Sequence, residues 1–521
     1  MRLPSKSDLV RLSRDRGAIL KTALAVVAVA HLLGLAVSLM PKGKGDPHGV
    51  FSFGFVPRDV PGLVDFVRFG GGGGGGGSCE ELSPELARDA LAELVETALE
   101  ALPGGDEAEA VRLWWRAIAA DDGSGADAAA RLGALPETTR RRDEFLADLS
   151  YLAGDADSAR DLYVAEARRF PAAVYARRSA LFLARYEGDR EGLASLLEDP
   201  SFRSALSPLE DIHYSAAVPD HVGLAFATVR YQFVLLASSS LLPALFTAAI
   251  WFLILLSFQG RARAFLPAAL GAFALGIVAA ALAFYAGAVQ ETVRGFRAGE
   301  GDPEWKQFLY LLAGVSLREE VAKLLCFLPL ALLLARRGTP LEALLLAGFV
   351  GLGFAFQENL VYFRGGGAGN LAWTRLLTAN PLHFSLTGVA GLALWKVLHR
   401  RGRGWEDFLL VFLVVVFAHT VYNSVLTIPS LEEYAPLHPI LVAVIAYQYF
   451  DPLRQHMEVA GLHRRLSPFG IFVVGSTLLT CTVLVSASFV LPFRFAAGAF
   501  ATSLGAMIPL AFAFLSRFRD L

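Results

Sequence analysis

The chain has 521 residues, 54% of them hydrophobic and only 18% charged, with a formal net charge of −2. That balance excludes an ordinary soluble protein, and with no basic stripe it excludes a nucleic-acid binder. The three cysteines, Cys79, Cys326 and Cys481, exclude a disulfide framework and a cysteine-based zinc site.

In chain order, residues 1–17 are basic, and 18–40 form an apolar run that stops at Met40-Pro41 without a small-residue cleavage site. We expect an uncleaved signal-anchor helix with its N-terminus in the cytoplasm. Residues 41–79 are rich in Gly and Pro and end in Gly70–Gly77. No Lys-Ser/Thr follows those glycines, so they read as a tether and not as a phosphate cradle. Residues 80–230 are expected to be an extracytoplasmic helical-repeat domain. Within it Gly154-Asp155, Ala159, Tyr163, Ala167 and Pro171 return as Gly188-Asp189, Leu193 and Leu197. The Gly-Asp pairs stand 34 residues apart, which resembles the tetratricopeptide period; an unrelated helical bundle is the alternative.

The remainder reads as membrane helices, a core over 231–450 and a C-terminal hairpin over 451–521. Spans are expected near 231–257, 264–289, 307–335, 341–363, 379–398, 407–428, 437–450, 468–491 and 495–515, ten with the anchor. The fold class is therefore all-α, a polytopic membrane protein. Arg261, Arg263, Arg336, Arg337, Arg400, Arg401, Arg403, Arg454, Arg464, Arg465, Arg517 and Arg519 then share one side with the N-terminus. The positive-inside rule places both termini in the cytoplasm of a cell membrane and residues 41–230 outside.

Polar residues interrupt four of these spans. The 307–335 run holds Arg318-Glu319-Glu320 and Lys323, where each central charge costs roughly 2.5–3.5 kcal/mol on insertion scales. Lys323 lies one turn from either carboxylate and can neutralise only one of them. The next spans hold Glu358, His383, and His419 with Asn423. At about 1.5 Å per residue, Glu319 lies about 18 Å and His419 about 14 Å from the outer ends of their spans, with Glu358 and His383 within about 8 Å of theirs. All four fall between mid-membrane and the outer face, as residues lining one water-filled cavity would. Two carboxylates buried side by side resist carrying two charges, which suits one of them to take and return a proton. His419 and Asn423, one turn apart, can aim N–H groups at a developing oxyanion. The same side chains could instead hold a divalent metal whose bound water is the nucleophile.

Glu319-Glu320-Val321-Ala322-Lys323, Gly353-Phe354-Ala355-Phe356-Gln357-Glu358-Asn359, His383 and His419-Thr420-Val421-Tyr422-Asn423 resemble the four signature motifs of the PrsW family of intramembrane proteases. The resemblance extends to the CAAX- and bacteriocin-processing membrane proteases. It covers about 231–450, and it implies an intramembrane endopeptidase cutting membrane-anchored proteins near the outer face. The associated role is the first cut of an anti-sigma factor. It implies Glu319 as water activator with Glu320 beside it, Glu358 and His383 in the second and third motifs, and His419 with Asn423 at the oxyanion. If zinc is bound, the expected ligands are Glu358, His383 and His419, with Glu319 free as base; the metal-independent, glutamic-type reading is preferred. A transporter or channel using Glu319 and Glu320 as a proton relay, and a catalytically silent scaffold, are the alternatives. No repeated motif in two halves supports a transporter.

Overall fold

The computed structural model describes residues 15–38, 95–96, 99–100, 102, 104–119, 124–218, 220–238, 240–259, 262–292, 294–299, 301–364, 368–459, 467–490 and 493–520. Most of the basic N-terminal segment, the whole 41–79 tether with Cys79, and residues 80–94 lie outside the described residues. Among the described residues every regular element is helical. The chain divides into two compact units, Lys42–Asp220 and the combination of Met1–Pro41 with His221–Leu521.

Helix α1 (Arg16–Ser38), apolar after Lys21 except at His31, packs along the helix Pro468–Val490 near the C-terminus. The next unit consists of α2 (Asp106–Ala119), α3 (Ser124–Gly133), α4 (Arg142–Leu152), α5 (Ala156–Arg169), α6 (Val174–Tyr186), α7 (Arg190–Glu198), α8 (Pro200–Ser204) and α9 (Pro208–Ala217). The repeated Gly-Asp pair has a local cause. Gly154 and Gly188 sit at φ 85° and 75°, a left-handed conformation that a side chain resists. The N–H groups of Asp155 and Asp189 reach back to the Ser150 and Ala184 carbonyls, closing the preceding helix. Each aspartate then caps the next helix, accepting from Ser158 N–H at 3.1 Å and Gly192 N–H at 2.9 Å. Ala159, Tyr163 and Ala167 are buried after the first turn, Leu193 and Leu197 after the second, all in one core.

The membrane unit continues with α10 (His221–Leu236), α11 (Leu241–Ser257), α12 (Ala262–Thr292) and α13 (Glu304–Leu309). A π-helical segment (Tyr310–Ser316) leads into α14 (Leu317–Arg337), α15 (Pro340–Arg364), α16 (Ala368–Leu377), α17 (Ala379–His399) and α18 (Trp405–Thr427). A 3-10 segment (Pro429–Leu437) precedes α19 (His438–Val459), α20 (Pro468–Val490) and α21 (Phe493–Asp520). Among the described residues six helices are long and apolar enough to cross a membrane, or seven if the pair α10–α11, bent by 84°, is one broken span. The expected span at 231–257 falls across this bent pair, in the unit that resumes at His221. The 307–335 segment falls outside the six because Arg318, Glu319, Glu320 and Lys323 interrupt its apolar run.

Helix α15 is the axis of this unit, buried along most of its length and packed against α11, α12, α14 and α17. Glycines let it come that close. A Cβ on Gly353 would collide with the Phe273 carbonyl of α12, and one on Gly351 with the His383 carbonyl of α17. Thr339 and Glu342 form a reciprocal cap at its start. Trp251 of α11, fully buried, donates its indole N–H to the Leu376 carbonyl at 2.6 Å and is ringed by Phe384, Phe472, Phe514 and Phe518.

Candidate active site

The π-helical segment sets the aim of the acidic pair. One extra residue in a helical turn rotates the downstream helix by about 100°, and such widened turns favour functional positions. Directly after it, Glu319 and Glu320 point into a polar centre shared by α14, α15, α17 and α18. Glu320 is fully buried and Glu319 keeps 13% of its side chain exposed. Lys323, also fully buried, donates to Glu320 Oε1 at 2.7 Å and to His383 Nδ1 at 2.9 Å, with Glu319 Oε2 at 3.7 Å. Its ammonium lies 3.9 Å from the Phe354 ring centroid, a further favourable contact for a cation.

The two histidines are each fixed by a carboxylate. His419 Nδ1–H donates to Glu320 Oε1 at 2.9 Å, which leaves its Nε2 lone pair facing Glu319 Oε2 across 3.8 Å. His383 Nε2–H donates to Glu358 Oε2 at 2.8 Å, which leaves Nδ1 to accept from Lys323. Their rings stand edge to face at 5.2 Å. Glu358 in turn accepts from Arg375 at 2.6 Å. Five of the six residues expected at the site, Glu319, Glu320, Glu358, His383 and His419, are therefore joined in one chain of contacts. Asn423, half-buried on α18, has no side-chain hydrogen-bond partner among the described residues.

One atom stands out. Glu319 Oε2 is buried without a hydrogen-bond partner, and it faces a histidine lone pair. Two acceptors set against each other need a donor or a cation between them. The formal charge points the same way, since Glu319, Glu320 and Glu358 outnumber Lys323 and Arg375. Glu319, His383 and His419 form a group that could hold a metal ion, each offering one ligand atom, all within 4.8 Å of one another. Tetrahedral zinc at about 2.1 Å places ligand atoms about 3.4 Å apart, so the 3.8 Å gap needs little closure. A metal would have to take the His383 lone pair from Lys323. The expected ligand set included Glu358 and left Glu319 free; here Glu319 supplies the third atom, while Glu358 is engaged by Arg375 and His383.

By sequence Arg375 is a loop charge, yet it is only 8% exposed and at the site. Its one signal is a lone base inside the apolar run Leu371–Leu377. Asn359 and Asn380, both fully buried, hydrogen-bond each other at 2.9 Å beneath it.

Residues 264–450 match the family model of the PrsW family intramembrane metalloprotease. No curated protein and no solved structure matches the chain. The matched segment runs from α12 into α19 and so contains every residue of the polar centre. The chain therefore carries a PrsW-family intramembrane protease domain across residues 264–450, and it is a protease of the membrane.

Proposed function

We propose that this protease hydrolyses peptide bonds of membrane-anchored proteins near the outer face of the bilayer, with Glu319 as the group that takes the proton from the attacking water. The observation that carries the reading is Glu319 Oε2, which has no hydrogen-bond partner, lies 3.7 Å from the Lys323 ammonium and faces His419 Nε2 at 3.8 Å, a gap suited to one water molecule or one cation. Glu319 is also the only acid of the adjacent pair with exposure to admit water. Glu320 holds His419 in the tautomer that presents Nε2, and Glu358 does the same for Nδ1 of His383. Asn423 is positioned on the helix face one turn from His419, and its unpaired amide is available to a carbonyl oxygen in substrate.

Glu319, His383 and His419 are the residues that would hold zinc. When bound it would polarise the scissile carbonyl and make water a stronger nucleophile. With the ion held there, Glu319 would still be the group nearest the attacking water to take its proton. Lys323 then compensates Glu320 alone.

The natural substrate proposed is a single-span protein of the anti-sigma-factor kind, on the strength of the family resemblance. We place the chain in a cell membrane with both termini cytoplasmic and residues 41–230 outside, because the basic loops alternate in that frame. The ten-span count is retained on the same ground. The matching turns and cores after Gly154 and Gly188 support a tetratricopeptide-like array that selects substrate without cutting it.

The test is reconstitution in liposomes with a panel of single-span proteins bearing fluorescent extracytoplasmic tags. Wild type is expected to release the tag, and Glu319→Gln to lose roughly 10²–10⁴ in rate while inserting normally. Full activity of Glu319→Gln on any substrate that wild type cuts refutes the assignment, and a relay or scaffold would cut nothing.

A further inference from the structure

The geometry points to Arg375 as a positioning residue of the protease, acting on His383 through Glu358; the inference rests on the proposed proteolytic function. Three observations carry it. First, the guanidinium makes a fork: Nη2 donates to Glu358 Oε2 at 2.6 Å and Nε donates to Asn359 Oδ1, while the plane stacks 4.0 Å from the Tyr362 ring centroid. Second, Glu358 uses the same Oε2 to accept from His383 Nε2–H at 2.8 Å, so the arginine fixes the oxygen that fixes the imidazole. Third, the short helix that carries Arg375 is tied down on both sides of it. Trp373 donates to Thr480 Oγ1 of α20 at 2.9 Å, and the Leu376 carbonyl accepts from Trp251 of α11 at 2.6 Å. A charge that merely offset others near a membrane surface would need none of these.

The consequence runs inward. Glu358 can hold His383 with Nδ1 presented to the centre only while it stays an acceptor aimed at Nε2. Without Arg375, Glu358 is a one-quarter-exposed carboxylate with one partner and free rotamers. Its hydrogen bond to His383 then competes with water. Arg375 touches neither the acidic pair nor His419, so its removal should slow the chemical step and leave substrate binding alone. A lysine keeps the charge, but it lacks the planar fork that reaches Glu358 and Asn359 together.

The experiment uses the full-length chain in liposomes and the panel member that wild type cuts fastest, with Glu319→Gln in parallel. Arg375→Gln is expected to lose about 10–100-fold in kcat, the usual range for an outer-shell partner, with KM within about twofold. Arg375→Lys is expected to lose about tenfold and to fold normally, which keeps the test open if Arg375→Gln does not extract as a monodisperse protein. In a Glu358→Gln background, Arg375→Gln should cost nothing further, because the route it serves is already cut. Wild-type kcat in Arg375→Lys or Arg375→Gln overturns the inference. So do losses that multiply with those of Glu358→Gln, the signature of a structural ion pair that merely staples α16 to α15. A wild type that cuts no panel member, like Glu319→Gln, overturns the protease reading and this inference with it; an active wild type beside an unimpaired Arg375 variant overturns this inference alone.

Discussion

Lys323→Met removes the cation on which the polar centre is balanced. At 2.7 Å and an effective dielectric of about 20, its attraction to Glu320 is about 6 kcal/mol, and Glu319 at 3.7 Å adds about 4. Desolvation of a fully buried ammonium offsets most of that sum. What the substitution exposes is the uncompensated Glu320, whose Oε2 already lacks a partner. Leaving one member of a buried pair alone typically costs 3–5 kcal/mol, or roughly 10²–10⁴ in the folding equilibrium. The assay is the fraction of monodisperse protein surviving a temperature ramp in detergent, read by fluorescence-detected gel filtration. Lys323→Met should survive far less than wild type. Glu320→Gln with Lys323→Met should recover much of the loss, since both charges are gone and His419 Nδ1–H can still donate to the amide oxygen. If Lys323→Met survives like wild type, or if the double variant is worse than the single, the ammonium is not compensating Glu320 and the charge argument fails.

Zinc added to the purified chain should raise its melting temperature, and the rise should vanish in His419→Ala; no shift in wild type would remove the metal from this site. Gly351→Ala should destabilise the chain by about 1–3 kcal/mol and slow cleavage, because the new methyl pushes on the His383 carbonyl; a variant with normal melting and rate would refute the close approach. Replacing residues 80–210 by a flexible linker should spare cleavage of a short peptide and flatten the preference among full-length substrates, compared by competition in one reaction; unchanged preference would remove the array from substrate choice. Burial pushes the Glu166 carboxyl up to about 7, with Glu144 and Asp143 adding to the rise. Its folded state therefore holds a proton that the unfolded state sheds from about pH 4.5 upward. Local stability should fall between about pH 4.5 and 7 and then level off. Hydrogen exchange across Arg142–Arg169 in the full-length chain should quicken over that window, and Glu166→Gln should abolish the change; a pH-independent rate beyond the intrinsic chemical effect would contradict it.

Residues whose position follows from local rules were legible in the sequence, and residues placed by long-range folding were not. Glu319, Glu320, Glu358, His383 and His419 stood out because charges and histidines are costly in apolar helices. A fixed rise per residue put them all between the middle and the outer ends of their expected spans, and side chains so placed can meet, as these do. The Gly-Asp turns were legible for a related reason, since a left-handed glycine and a capping aspartate act within a few residues. Arg375 gave only a weak sign, a lone base in the short apolar run Leu371–Leu377. An arginine near a span end looks the same whether it faces water or folds inward, and the difference lies in Trp251 and Trp373, which anchor its helix to α11 and α20. Lys323 showed its carboxylate neighbours at one-turn spacing, but its bond to His383, 60 residues on, depends on how α14 meets α17. The span at 307–335 shows the same limit from the other side. Hydropathy scores Arg318, Glu319, Glu320 and Lys323 as though lipid surrounded them, whereas Glu320 and Lys323 meet other protein groups. The charges that set it apart from an ordinary membrane helix are the ones its neighbours are arranged to receive, and for that reason the most highly charged of the domain's expected spans marks its centre.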